Sequence, residues 1–164
     1  MKIKHKETGE ILWEDRKIAD FKGISFNGVD LSGANFIGAN LEGADFRWAI
    51  LLEADLSGAN LTRADFRWAI LLEADLSGAK CMGANFIGAN LRKANLRKAN
   101  LLLVNFQAAN AQGVNFQRAD LWGANFSGAD LWGANFQGAN CRGVNLQKAN
   151  LRNVNFRGVN FWAK

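Results

Sequence analysis

Residues 46–79 read FRWAILLEADLSGANLTRADFRWAILLEADLSGA, in which the fourteen residues that start at Phe46 recur twenty positions later, from Phe66. A shorter period lies inside this repeat. Leu or Phe stands at nearly every fifth position, with Ala two places before it. The resulting phrase, A-(N/D)-(L/F)-x-G, runs from Ala19 to Ala163 without an insertion. A fixed period of this kind indicates one repeat architecture along the chain.

The period of five excludes an α-helix, because residues five apart on a helix are offset by about 140° and form no stripe. Within each phrase Ala points in, Asn or Asp points out and Leu or Phe points in, which is the alternation of a very short strand. The following x-G pair supplies a turn. Four such sides close a square after twenty residues. The sequence therefore predicts an all-β solenoid, a quadrilateral β-helix of about seven 20-residue coils.

Every twentieth residue is expected to stack in a column inside the square. One column is Phe26, Phe46, Phe66, Phe86, Phe106 and Phe126, and another is Leu31, Leu51, Leu71, Leu91, Ala111, Leu131 and Leu151. Cys81 and Cys141 share an inward column three coils apart. That separation, about 14 Å at 4.8 Å per coil, exceeds the reach of a disulfide. We expect two buried, reduced thiols.

The recurring phrases Ala-Asn-Leu, Ala-Asp-Leu-Ser-Gly and Ala-Asn-Phe-Gln-Gly resemble those of the pentapeptide repeat family. The resemblance implies that the quadrilateral β-helix is right-handed, with the Leu, Phe and Ala columns inside. It also implies that no biochemical activity is assigned to most members. Some members resemble B-form DNA in shape and charge and bind DNA gyrase, which gives quinolone resistance. Others are cyanobacterial regulators or structural modules.

The two ends depart from the repeat. Residues 1–18 predict a strand, a Gly-containing turn and a second strand, a hairpin that caps the first coil and buries Ile11 and Trp13. A flexible tail is the alternative. Residues 19–164 are predicted to form the β-helix. At its far end Val159, Phe161 and Trp162 lie on an uncapped edge, where we expect pairing with a second copy, although the C-terminal helix common in family dimers is missing.

No catalytic, cofactor or metal site is predicted. His5 is the single histidine, without a plausible nucleophile beside it, and we read it as a surface residue. Glu53 and Glu73 stack one coil apart, in the pattern of a solvated corner. We therefore expect no enzymatic activity and no cofactor. The chain has neither an apolar stretch of about 20 residues nor an apolar N-terminal signal, so we expect no membrane span and a cytoplasmic location.

Apolar residues at outward positions indicate binding surfaces. The first group is Trp48, Ile50, Leu52, Trp68, Ile70 and Leu72, on one side of two adjacent coils. A second stripe is Met82, Leu102, Leu103 and Trp122. Clustered surface Trp and aliphatic residues are typical of partner sites. The first group could instead pack on the N-terminal segment or reflect a recent duplication, and the second could be neutral drift.

Charge divides the chain, since residues 1–82 carry ten Lys/Arg and thirteen Asp/Glu whereas residues 83–164 carry ten and two. One basic cluster is Arg92, Lys93, Arg97 and Lys98. Another, around the last coil, is Arg142, Lys148, Arg152 and Arg157. No nucleic-acid motif accompanies them, so the solvated-face reading is favoured and no nucleic-acid partner is expected. The alternative is nucleic-acid binding by the basic half, through phosphate contacts and stacking on the flanking Trp122 and Trp132, with an affinity that falls steeply with salt.

These observations predict a non-enzymatic scaffold or protein-interaction module with an unidentified protein partner. The alternative is a DNA-mimicking, topoisomerase-binding protein of the quinolone-resistance type. DNA mimicry requires an acidic surface along the rod, which the basic second half opposes. Many such resistance proteins also carry projecting loops, and this repeat has no insertion.

Overall fold

The computed structural model describes residues 2–14 and 20–162 of the chain. Strands β1 (Lys2–Lys4) and β2 (Ile11–Glu14) pair antiparallel near the N-terminus. From Ser25 onward the chain coils, and parallel bridges join residues twenty apart in four columns that begin at Ser25, Asp30, Asn35 and Asn40. Within the described ranges there is no helix. The prediction of a quadrilateral β-helix with twenty-residue coils is confirmed.

Each side of a coil is one bridging residue between two inward-facing neighbours. The Leu51 N–H donates to the Ile70 carbonyl on the next coil at 2.7 Å, and the Ile50 N–H donates to the Val29 carbonyl on the previous coil at 3.0 Å. The same two bonds recur along all four sides, which ties every coil to both neighbours. Proline, which lacks the N–H, would break this ladder, and the chain contains none.

The corners between sides are two-residue turns. The Ala54 N–H donates to the Leu51 carbonyl at 3.1 Å and closes one such turn, whose second central residue, Glu53, has a φ of 55°. A positive φ at that position is the signature of a type II turn. Every fifth residue from Gly23 to Gly158 adopts it, and twelve of these positions carry a residue other than glycine.

The core is a stack of aromatic and aliphatic columns. The rings of Phe46 and Phe66 lie 4.7 Å apart and those of Phe66 and Phe86 lie 4.6 Å apart, each pair with planes 2° from parallel. Cys81 and Cys141 are buried and unpaired with each other, as predicted. Burial raises the pKa of both thiols to about 12, so they behave as small apolar fillers.

The N-terminal hairpin extends the ladder over the first coil. The Asn35 N–H donates to the Lys4 carbonyl at 2.8 Å, and the apolar side chains of Ile3 and Leu12 pack on the core. The prediction that Ile11 is buried was wrong, because 45% of it is exposed. Neighbouring residues of a strand face opposite ways, so the inward position of Leu12 turns Ile11 outward. The side chain of Trp13 lies outside the described residues.

Candidate functional site

Two tryptophans on adjacent coils form an exposed aromatic stack. The rings of Trp48 and Trp68 are 5.7 Å apart with planes 15° from parallel, and the residues are 60% and 48% exposed. The Trp68 ring lies in turn on the corner of the next coil, where a Cβ added to Gly88 would fall 2.3 Å from it. Stacking and this glycine platform hold both rings in a defined orientation.

The side next to this stack is apolar. Ile50 and Ile70 bridge each other at the outward position that carries Asn or Asp on most coils, and Ile70 is exposed while Ile50 is half-buried. Leu52 and Leu72, both half-buried, follow at the next corner. The structure thus brings the predicted group together on one side, and we call it the tryptophan patch: Trp48, Ile50, Leu52, Trp68, Ile70 and Leu72.

A charged but internally paired rim borders the tryptophan patch. Arg47 Nη2 lies 2.7 Å from Asp45 Oδ2, and Arg67 Nη2 lies 2.6 Å from Asp65 Oδ2. The hydrogen bond from the Arg47 side chain holds the pKa of the Asp45 carboxyl below its usual value. Sequence reasoning missed these pairs, although their i, i+2 spacing in the duplicated coil was a usable signal.

A shallow cavity of about 130 Å³ lies where the hairpin meets the other edge of the tryptophan patch. Its lining residues are His5, Lys6, Glu7, Ser32, Gly33, Leu52 and Glu53. The His5 ring packs against Gly33, and its Nδ1 accepts the N–H groups of Glu7 and Thr8, each at 3.3 Å. His5 is therefore half-buried and structural, and it holds the hairpin turn on the first coil.

The predicted second stripe occupies another corner of the square. Met82, Leu102 and Trp122 follow one another at intervals of one coil, linked by backbone hydrogen bonds such as that from the Leu103 N–H to the Trp122 carbonyl at 2.9 Å. Met82, Trp122 and Leu103 are exposed, whereas Leu102 is half-buried. The stripe is a narrow row on one corner, without the apolar side that widens the tryptophan patch.

The predicted basic group, Arg92, Lys93, Arg97 and Lys98, is fully on the surface. Lys93 Nζ lies 3.0 Å from Glu73 Oε1 on the preceding coil. Glu73 is thus exposed and one coil from Glu53, as expected, and it is also paired with a lysine on the next coil. An ion pair this exposed contributes little to stability.

The last described coil leaves part of its inner surface open. Val159 and Phe161 are half-buried, and Trp162 is 82% exposed. The N–H groups of Leu146 and Leu151 have no backbone acceptor within residues 2–14 and 20–162. This edge can therefore accept another strand.

A family model described as pentapeptide repeats matches residues 19–51, 49–86, 84–123 and 124–162. The chain belongs to the pentapeptide repeat family. Its β-helix is accordingly right-handed, as the family resemblance implied. A search of characterised protein sequences gives no significant match.

Several solved structures are similar to the chain. A trypsin-treated form of QnrB1, described as a plasmid-mediated fluoroquinolone resistance protein, is 23% identical with a TM-score of 0.68, over 87% of this chain and 84% of that one. A pentapeptide repeat protein of the Arabidopsis thaliana thylakoid lumen is 30% identical with a TM-score of 0.43, over 76% and 69%. Rfr23 from the cyanobacterium Cyanothece 51142 is 24% identical with a TM-score of 0.43, over 84% and 91%. The QnrB1 likeness shows the fold alone.

In the described part of the chain, no group of His, Cys, Asp or Glu side chains is arranged to hold a metal ion. The same residues include no helix long and apolar enough to cross a bilayer.

Proposed function

We propose that this protein is a non-enzymatic interaction module that binds a protein partner through the tryptophan patch. The observation that carries the proposal is the exposed stack of Trp48 on Trp68 beside the apolar side formed by Ile50 and Ile70. Contiguous apolar surface of this kind is uncommon on monomeric proteins and is typical of binding sites. Tryptophan is also the residue most enriched among those that dominate binding energy.

The rigidity of the site supports the proposal. The Trp68 ring lies between the Trp48 ring and Gly88, so its orientation is fixed before a partner arrives. Less side-chain entropy is then lost on association, and more of the burial energy appears as affinity. The Asp45–Arg47 and Asp65–Arg67 pairs provide a polar rim around the apolar centre, as at protein–protein interfaces in general.

The polar columns serve the backbone, which favours a scaffold over an enzyme. Asp55 Oδ1 accepts the Ser57 N–H at 2.9 Å, and Asn105 Oδ1 accepts the Gln107 N–H at 3.0 Å. This bond from an outward side chain to the residue two places later recurs at corner after corner, and it stabilises the turn. The acidic side chains at these positions therefore have a structural role that the repeat itself requires.

The test is a double substitution, Trp48→Gly with Trp68→Gly. Gly28, Gly88 and Gly128 occupy the same column, so glycine is a residue that this corner accepts. The matched control, Trp122→Gln with Trp132→Gln, also removes two exposed tryptophans but leaves the tryptophan patch intact. Partners captured by the wild type are identified and purified, and their affinities are measured by isothermal titration calorimetry. We expect at least a hundredfold loss for the glycine pair and less than a twofold change for the control.

Equal binding by both variants would refute the tryptophan patch as the site. Circular dichroism and thermal unfolding of the glycine pair show whether the fold is retained, so that a folding defect is recognised separately.

The quinolone-resistance alternative is tested in parallel. QnrB1 is described as a fluoroquinolone resistance protein, but at 23% identity the likeness concerns the fold. The chain carries a net charge of +5, with its positive charge concentrated in the second half, which does not suit a mimic of acidic DNA. Gyrase supercoiling assays with and without a fluoroquinolone decide the matter. Protection of gyrase by this protein would replace the proposal above with topoisomerase binding.

We also propose that the edge formed by Val159, Phe161 and Trp162 pairs with the same edge of a second copy. Half-buried core residues and open N–H groups at this coil support end-to-end pairing. Light scattering after size-exclusion chromatography should give a mass that rises towards the dimer with concentration. Trp162→Glu should shift it to the monomer, and a monomer at every concentration would contradict the pairing. The expected cytoplasmic location stays a prediction, which cell fractionation can check.

A further inference from the structure

The square cross-section gathers most cations of the second half on one side. The bridged column Asn95, Asn115, Asn135 and Asn155 forms the middle of that side. One flanking corner carries Arg92, Lys93 and Arg152, and the other carries Arg97, Lys98, Arg118 and Arg157. We call this surface the basic face. Sequence reasoning assigned six of these cations to two separate clusters, placed Arg118 in neither, and favoured a solvated face because no nucleic-acid motif accompanies them.

Backbone hydrogen bonds establish that these residues share two corners. Along the first corner the Lys93 N–H donates to the Gln112 carbonyl at 2.8 Å, and the ladder continues through Trp132 to Arg152. Along the second corner the Lys98 N–H donates to the Gln117 carbonyl at 3.0 Å, and the ladder continues through Arg118 and Gln137 to Arg157. The two rows therefore run parallel to the solenoid axis on either side of the asparagine column.

The charge of the basic face is almost uncompensated. All seven cations are exposed, and only Lys93 has a carboxylate partner, Glu73, among the described residues. Between residues 92 and 157, all of them described, the only carboxylates are Asp120 and Asp130, which bridge in the columns of the two adjoining sides. Three coil spacings of about 4.8 Å give the face a length of roughly 14 Å.

The floor between the rows is the column of asparagine amides, in which Asn155 Nδ2 donates to Asn135 Oδ1 at 3.0 Å. On the second corner, Gln117 Nε2 donates to Gln137 Oε1 at 3.1 Å, so amides also lie between Arg97 and Arg157 in that row. A side of three extended residues sets the two rows about 10 Å apart. One aromatic residue, Trp132, stands on the first corner between the cations of that row and is 49% exposed.

We propose that the basic face binds single-stranded nucleic acid, with phosphates along the cationic rows and a base stacked on Trp132. Proteins that bind single strands without sequence preference combine a positively charged surface along the backbone with aromatic side chains on which bases stack. Duplex readout requires an element that enters a groove, such as a helix or a β-ribbon, and residues 92–157, all described, contain only short turns and single bridges. An anionic bilayer surface would be held by apolar side chains that insert into it, whereas the floor here is a row of hydrogen-bonding amides. The face shares one corner column with Leu52 and Leu72 of the tryptophan patch, but Trp48 and Trp68 lie on a corner that does not border it, so substitutions there test the two proposals separately.

The test is fluorescence anisotropy with a labelled 12-nucleotide oligo(dT) at several salt concentrations. Three or four phosphate contacts predict that log K falls with log salt with a slope of about −2 to −3. The triple variant Arg97→Gln, Arg118→Gln, Arg157→Gln should lose at least tenfold in affinity and have a shallower slope. The control triple, Arg63→Gln, Lys80→Gln, Lys148→Gln, removes the same charge from other sides and should change affinity less than twofold.

Two further arms separate a nucleic-acid site from a general polyanion site. Trp132→Gln should weaken oligo(dT) binding about tenfold, in the range of base–aromatic stacking. A duplex of the same length should bind at least tenfold more weakly than the single strand. Equal losses in both triple variants, no effect of Trp132→Gln, stronger duplex binding, or stronger binding to phosphatidylserine vesicles would each overturn the proposal.

Discussion

Several corner side chains of this protein lie on the corner one coil closer to the C-terminus. Trp68 lies on Gly88, Leu103 lies on Gly123, and the Arg118 side chain lies over Gly138. In these three cases the residue underneath is glycine, which has no side chain, whereas Trp48 stacks on another indole, that of Trp68. The packing of a corner side chain therefore depends on the residue that stands twenty positions later, at the same corner of the next coil.

Gly88 and Gly128 isolate the effect of this packing. They occupy the same column with φ values of 65° and 68°, but an added Cβ meets Trp68 at Gly88 and nothing within 4 Å at Gly128. Gly128→Ala should lower the free energy of unfolding by about 1 kcal/mol because of the left-handed backbone alone. Gly88→Ala should cost roughly 1 kcal/mol more, since the Trp68 ring must move.

Urea unfolding measures both free energies, and the near-ultraviolet circular dichroism of the stacked indoles should change only in Gly88→Ala. Equal destabilisation by the two substitutions would show that the Trp68 contact contributes nothing.

The element that holds the coils together is the phenylalanine column. Phe86 stacks on Phe66 at 4.6 Å and on Phe106 at 5.0 Å, and it is completely buried. Phe86→Ala should cost about 3–5 kcal/mol, as for other buried aromatic truncations. Phe156→Ala, in the half-buried last coil, should cost less than half as much. Chemical denaturation checks both values, and similar costs at the two positions would contradict an end that is only partly packed.

The ion pair of Asp45 and Arg47 at one corner makes the free energy of unfolding depend on pH. The Arg47 hydrogen bond lowers the pKa of Asp45 from its reference of 3.8, so the folded state holds this proton more weakly than the unfolded state does. The associated stability is complete well above pH 3.8 and is lost as the pH falls through the lower, folded value. Wild type should therefore lose more stability between pH 7 and pH 3 than Asp45→Asn. The urea midpoint at both pH values provides the measurement, and identical losses would exclude Asp45 as a contributor.

At the scale of the whole molecule, each coil contacts only its neighbours, so opening should begin at the ends. Cys81 lies in the middle of the solenoid, whereas Cys141 lies one coil from the last described residues. Burial raises the pKa of both thiols to about 12, so neither should react in the closed state. With iodoacetamide at pH 8, peptide mapping by mass spectrometry should show Cys141 labelled before Cys81. Simultaneous labelling would indicate a single cooperative unit instead.

The five-residue spacing alone was enough to predict the backbone fold of this protein and the residues of its inner columns. Phe66 and Cys81 are inside because the five-residue period leaves them no other position, and the duplicated coil places Trp48 over Trp68. The spacing could not predict the direction of side chains at a corner. That direction depends on the type II turn and on the contact with the residue twenty positions later. The contact of Trp68 with Gly88 was missed for that reason.

In the hairpin and the basic face, too, the sequence identified the residues but did not predict the direction or the grouping of their side chains. Ile11 was expected inside because both apolar faces of a four-residue strand look equivalent in sequence, and only the docking of Leu12 on the core distinguishes them. Arg97 and Arg157 belong to one surface because three coils of hydrogen bonds align their corners. The sequence shows that these residues are basic. It does not show that they share one surface, because that requires the alignment of neighbouring corner columns in the structure.

Because corner side chains contact the following coil, the order of the coils along the chain affects how their corners pack. The corner that a side chain lies on belongs to the next coil, as Leu103 lies on Gly123 and Trp48 lies on Trp68. Coils of this protein are consequently not freely interchangeable, even though they share one backbone hydrogen-bond pattern. Recombination or engineering that reorders whole coils should keep each coil next to the coil that its corner side chains contact. Coils should therefore be gained or lost in blocks that leave these contacting pairs intact.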